Sequence, residues 1–180
     1  SDLRGVDSHG VEMLPRKVGH MKLGLIDPKP EIKVAHETTA TALLDGGNGL
    51  GEVVGKRGME ICIQKANAAG AGFVTVRNSN HYGTAAYFAM MALEHDMIGL
   101  SMTNATPLLV PTFGRTAVLG TNPLSVAAPA GKERPFVLDM ATSVVPSGKM
   151  AVYKHKGLSI PPGWAIDREE QPMNNPADVA

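Results

Sequence analysis

Residues 39–103 alternate between two hydrophobic periods, and that alternation constrains the fold more than any other feature of the chain. "TATALLDGG" reads as a strand ended by glycines. Gly49 to Ala69 reads as a long helix, because Leu50, Val54, Gly58, Ile61, Cys62, Ala66 and Ala69 recur at helical spacing and Gly70 closes it. "GFVTVRN" sets β-branched residues at alternate positions, as strands do. Thr84 to Glu94 returns to the helical period, with Ala85, Phe88, Ala89 and Ala92 on one stripe, and "MIGLSMT" is a further strand. Strand, helix, strand, helix, strand in this order predicts an α/β domain.

The flanks extend this pattern. Val11 to Leu23 predicts a helix with Leu14, Val18, Met21 and Leu25 near one face, Pro15 in its first turn and Gly24 as its stop. "DPKPEIKVAHE" leads into a strand near Ile32–Val34 that can pair with "TATALLDGG". "NATPLLVPTFGRTAVLGTNP" is a long loop region, "LSVAAPA" and "PFVLDMA" are two strands joined by the turn-like "GKER", and "TSVVPSGKM" leads into a helix. "GWAIDREEQPMNNPAD" reads as a hairpin or loop.

"DGGNGLGEVVG" lies where a dinucleotide-binding Rossmann loop would lie, after a strand and at the start of a helix. The fingerprint fails. Gly49-Leu50-Gly51 is followed by Glu52-Val53-Val54-Gly55, one residue too long, and the next strand ends in Arg77 and Asn78 rather than in an acid for a ribose.

Lys+Arg and Asp+Glu are both 17, so the net charge is zero. With no basic stripe, this excludes an ordinary nucleic-acid binder. A single cysteine, Cys62, forbids an internal disulfide and fits a reducing compartment. No stretch is apolar for long enough to span a bilayer, and no basic leader is evident, so a soluble, cytoplasmic protein is expected. The chain opens on Ser1 inside a motif, which suggests a single α/β piece, residues 1–180, of a longer protein.

Six histidines are present, none in a metal-ligand spacing, so no metal site is expected. Two differ in context from the rest. His9 lies in "DLRGVDSHGV", polar and glycine-rich just before a helix. His81 lies in "RNSNHYG", in the loop after a strand, beside Asn80, where α/β sheets hold ligands. Asn104, Asn122 in "TNP", and Thr142 or Ser143 after Asp139 in "LDMATS" are polar groups at strand ends, with turn or cap chemistry as the alternative for each.

"DLRGVDSHGV", "LLDGGNGLGEVVG", "RNSNHYG", "SMTNATP", "LGTNPLSVAAP" and "PFVLDMATSVV", in this order from Ser1 to Ala180, resemble the malate/L-lactate dehydrogenase family of nicotinamide-dependent oxidoreductases. Relatives there include ureidoglycolate dehydrogenase, diketogulonate reductase and cyclic-imine carboxylate reductase. The resemblance implies a mixed β-sheet flanked by helices, L-sulfolactate dehydrogenase-like and not a Rossmann fold, in a chain about twice this length. It implies an enzyme that transfers hydride between NAD or NADP and a small 2-hydroxy or 2-keto acid such as malate or lactate, working as a homodimer without nucleic acid or membrane partners. It places His9, His81 and Asp139 among catalytic residues, and Arg4, Ser8 and Asn80 near substrate. It places Asn122, Pro123, Asp139, Met140, Ala141, Thr142 and Ser143 at the coenzyme. Asp139 or Asp7 is a candidate for orienting an imidazole.

Two positions depart from the family pattern. Where relatives often carry an Arg able to hold the substrate carboxylate, this chain has Met13, and where an aromatic often follows, it has Lys17. Methionine cannot pair with a carboxylate. Arg4, Arg16 and Lys17 are the candidate replacements, and a catalytically silent relative that keeps the fold and coenzyme binding is the alternative reading.

Overall fold

A computed structural model describes residues 1–167 and 171–178. The expected hairpin or loop near the C-terminus falls partly outside these residues. Within them Ile166 bridges antiparallel to Pro172, as a hairpin would. The described residues divide into two compact units, one of residues 1–101 with 125–138 and one of residues 102–124 with 139 onward.

The first unit opens with three short 3₁₀ turns, Asp2–Arg4, Asp7–His9 and Val11–Met13, and then α1, Leu14–Lys22. The helix expected over Val11–Leu23 is therefore α-helical only from Leu14. Pro15 falls in its first turn, where the missing N–H is not needed. Strands β1 (Lys33–Glu37) and β2 (Thr41–Gly49) pair antiparallel, and after α2 (Gly51–Ala69) the strand β3 (Phe73–Ser79) pairs parallel to β2. This mixed sheet has the order β1-β2-β3. Helix α2 packs on β2 and β3 through Val54, Gly58 and Ile61, and Leu44, 0% exposed, sits with Ala42 and Ile61 in the core cluster.

Helix α3 (Ala85–Met91) follows, and the expected helix to Glu94 ends as a 3₁₀ turn, Ala92–His95, stopped by Asp96 at φ 54°. Phe88, 2% exposed, anchors α3. Its ring stacks on Tyr82 at 4.7 Å and meets Tyr87 edge-on at 5.2 Å. A second sheet has the order β4 (Gly99–Met102), β5 (Leu124–Ala128), β6 (Phe136–Met140).

The second unit carries the loop of residues 103–123, where Leu109 and Leu119 form an antiparallel bridge, and α4, Ser147–His155. Trp164, the only tryptophan of the chain, lies against Tyr153 with ring centroids 5.1 Å apart. Among the described residues no helix is long and apolar enough to cross a membrane.

Candidate active site

Gly51 explains the glycine-rich turn that resembles a phosphate loop without matching it. A Cβ at this position would stand 2.0 Å from the Asn80 carbonyl oxygen and 2.6 Å from the backbone of His81. Only glycine lets the start of α2 meet the turn after β3 this closely. Asn80 completes the joint: its amide donates to the Asn48 carbonyl at 3.1 Å and the Gly49 carbonyl at 2.9 Å. The Asn80 N–H groups thus fasten the loop, while the expectation had placed this residue near substrate.

On the other side, the Asp2 carboxylate accepts the Val11 N–H at 3.1 Å and lies where a side chain on Gly10 would project. This folds the turn that presents His9. The two segments bring His9 and His81 together, with ring centroids 5.4 Å apart and planes tilted by 36°. His9 Nδ1 is 2.9 Å from Ser8 Oγ. His81 Nδ1 accepts the Gly83 N–H at 3.2 Å, so a neutral His81 ring carries its proton on Nε2. Burial, and then the charges of His9, Lys17 and Arg16, lower the His81 pKa to about 4. The residue keeps part of its surface open to solvent, and at neutral pH the imidazole is uncharged.

His9 lines a cleft of about 930 Å³ with Lys17, Glu52, Arg57, Tyr82 and Tyr87, among others, and His81 adjoins that lining through His9. Lys17, its side chain 12% exposed, pairs with Glu52 and lies 3.4 Å from the His81 carbonyl oxygen. Burial, and then Arg16, lower its pKa. Of the three cations proposed to replace the missing arginine, Lys17 alone lines this cleft. Arg4 instead points its guanidinium at Met90 Sδ, 2.8 Å away. Asp7 accepts the Ser8 N–H at 2.9 Å. Glu52 and Gly83, which no sequence motif singled out, belong to the neighbourhood of the two histidines. The departure at Lys17 was the one signal that pointed toward them.

The remaining predicted residues lie in the second unit. Asn122 adopts φ 37° and accepts the Ala105 N–H at 3.0 Å, which leaves its amide N–H₂ as a donor. The Pro123 carbonyl accepts the Thr103 N–H at 3.3 Å. Asp139 and Met140 end β6, with Met140 48% exposed, and Ala141 follows. Thr142 turns its N–H and hydroxyl onto the Thr121 carbonyl at 2.9 and 3.0 Å, and the Ser143 hydroxyl donates to the Val145 carbonyl. An exposed thioether on the same unit as an amide donor suits a flat aromatic ring bearing a carboxamide. Among the described residues no group of three or more His, Cys, Asp or Glu stands together as a metal site.

A family model described as malate/L-lactate dehydrogenase matches residues 1–180. The chain belongs to that family. Malate dehydrogenase of Pyrococcus horikoshii is 56% identical over 169 residues, which are 94% of this chain and 47% of that protein. The solved malate dehydrogenase of Entamoeba histolytica superposes with a TM-score of 0.95 at 37% identity, over 99% of this chain and 50% of that one. The sulfolactate dehydrogenase of Methanocaldococcus jannaschii gives a TM-score of 0.86 at 44% identity, over 99% and 52%. The chain thus has the fold expected of that family, and it spans about half the length of the relatives it matches.

Proposed function

We propose that the protein is an NAD(P)-dependent dehydrogenase of small 2-hydroxy acids, and that this chain supplies its acid/base groups and part of its coenzyme site. The observation that carries the reading is the His9–His81 pair, 5.4 Å apart, with His9 and the partly buried Lys17 lining one cleft. Oxidising a 2-hydroxy acid removes a hydroxyl proton as hydride leaves the carbon. When bound, the nicotinamide coenzyme takes or returns that hydride. The proton is the protein's task.

The two histidines divide it. His9, with Nδ1 within hydrogen-bond distance of Ser8 Oγ, takes the hydroxyl proton and returns it. His81, uncharged and with its proton on Nε2, donates a hydrogen bond to the same substrate oxygen as negative charge develops there. In the second unit, Asn122 and the Asp139–Ser143 segment, Met140 included, would hold the nicotinamide. We place the activity in a chain about twice this length, a cytoplasmic homodimer. The single cysteine of residues 1–180, Cys62, agrees with a reducing compartment. Val11, Leu14 and Val18, uncovered on the first unit, agree with a further protein surface there.

The test follows NADH and NADPH consumption by the full-length natural protein. The panel is oxaloacetate, pyruvate, sulfopyruvate, a diketo sugar acid and a cyclic imino acid. Oxaloacetate or sulfopyruvate is the expected substrate, given the relatives. Coenzyme binding without turnover of any panel member would overturn the enzymatic reading in favour of a silent relative.

A further inference from the structure

Lys17 and Glu52 lie 35 residues apart in sequence and meet where three elements converge. Lys17 comes from α1, immediately after the His9 turns. Glu52 comes from the first turn of α2. The Lys17 ammonium donates to Glu52 Oε1 and approaches the His81 carbonyl at 3.4 Å. The pair also touches the fourth member of the neighbourhood: a Cβ built on Gly83 would lie 3.7 Å from Glu52 Oε1 and 4.0 Å from the His9 carbonyl. Gly83 is the residue whose N–H fixes His81 Nδ1. The Gly83 N–H that orients His81 therefore stands beside the Lys17–Glu52 pair.

The pair is also unevenly satisfied. Glu52 Oε2 is enclosed, yet has no hydrogen-bond partner among the described residues. An enclosed carboxylate oxygen without a donor is costly unless a nearby cation compensates it. Lys17 is that cation. The charged groups that act on the His81 ring are His9, on the turn before α1, and Lys17 and Arg16 on α1; Glu52 on α2 reaches this group through its pair with Lys17.

We propose that Lys17 is a positioning residue: clamped to Glu52 and to the His81 carbonyl, it ties α1 and α2 to the Asn80–Gly83 turn and so fixes where the His81 imidazole stands. The inference deepens the dehydrogenase reading and rests on it for its catalytic meaning. It gives a purpose to the departure at Lys17: the cation that lines the cleft is spent on the histidine turn rather than left free as a carboxylate anchor.

The test is histidine-selective ¹⁵N NMR of the full-length protein across pH, with the His81 signals assigned by their loss in His81→Asn. Lys17→Met removes a cation that holds the His81 pKa down and leaves the Glu52 charge uncompensated, so the His81 midpoint should rise by about one pH unit. Lys17→Arg should restore the wild-type midpoint. Glu52→Gln leaves the lysine charge unbalanced and should move the midpoint down, or hold it low. A clamp that was only structural would loosen the turn in both Lys17→Met and Glu52→Gln and shift both the same way. If Lys17→Met does not fold, Lys17→Arg/Glu52→Gln compared with Lys17→Arg carries the same decision: a fall of the midpoint supports the proposal and a rise overturns it. An unchanged midpoint in Lys17→Met, equal shifts in Lys17→Met and Lys17→Arg, or a rise in the Glu52→Gln variants would overturn the proposal. The titration is read without substrate, so absence of turnover with the panel above would remove the dehydrogenase reading and leave this result standing. Where turnover is present, the acid limb of kcat/KM for oxaloacetate reduction should move with the His81 midpoint.

Discussion

The His81 turn rests on side chains and backbone from three elements, whereas the Asn122 loop rests largely on itself. Around His81, Asn80 reaches back to the Asn48–Gly49 turn, Gly51 gives up its side chain to admit the backbone, and Tyr82 stacks on the buried Phe88. Around Asn122 the contacts are local: Ala105, Thr121 and Thr103 supply them, and the residue itself adopts a left-handed φ of 37°. The difference suits the tasks proposed for each. A proton-transferring pair must hold its geometry to within about half an ångström, whereas a coenzyme site has to admit and release a large ligand.

The comparison can be broken at its strongest point. His9→Ala in the full-length protein should lower turnover by about 10²–10⁴-fold with coenzyme affinity unchanged, as measured by steady-state kinetics beside fluorescence titration. Turnover close to wild type would mean that the well-braced turn braces something other than chemistry. Next in size is the brace itself. Phe88→Ala empties the space against α2 and removes the stacking surface under Tyr82, and should destabilise the protein by about 3–5 kcal/mol in urea unfolding. A loss of less than about 1 kcal/mol would show that the His81 turn does not depend on α3. The smallest effect belongs to the other region. Thr142→Val removes one hydroxyl donor from the Thr121 carbonyl and should weaken coenzyme binding by about fivefold, near 1 kcal/mol. A loss as large as that of His9→Ala would erase the contrast.

Much of this was legible in the sequence, and the unread part has a common cause. The helix α2 and strands β2, β3 and β4 follow from local period, and their ends fall within two residues of the expected ones. The helix over Val11–Leu23 was over-read because an apolar spacing of three or four does not distinguish a 3₁₀ turn from an α-helix, and Pro15 marked the true start. His9 and His81 were found from local context, but their meeting was not, since 72 residues separate them in the chain. Glu52 escaped notice because a glutamate in the first turn of a helix is ordinary electrostatics on its own. Its meaning comes only from Lys17, which the fold brings to it. Gly51 was weighed as a phosphate-loop glycine because a sequence shows that a side chain is missing, and never what occupies the space.

Trp164 and its neighbour Tyr153 give the second unit an optical identity of its own. As the chain's single indole, its emission is silent about α1, α2 and both histidines. Excitation at the red edge of protein absorption would watch residues 139 onward melt, quench or shift colour while the His9–His81 neighbourhood stayed dark. The tyrosines Tyr82 and Tyr87 would be left to report on that other half.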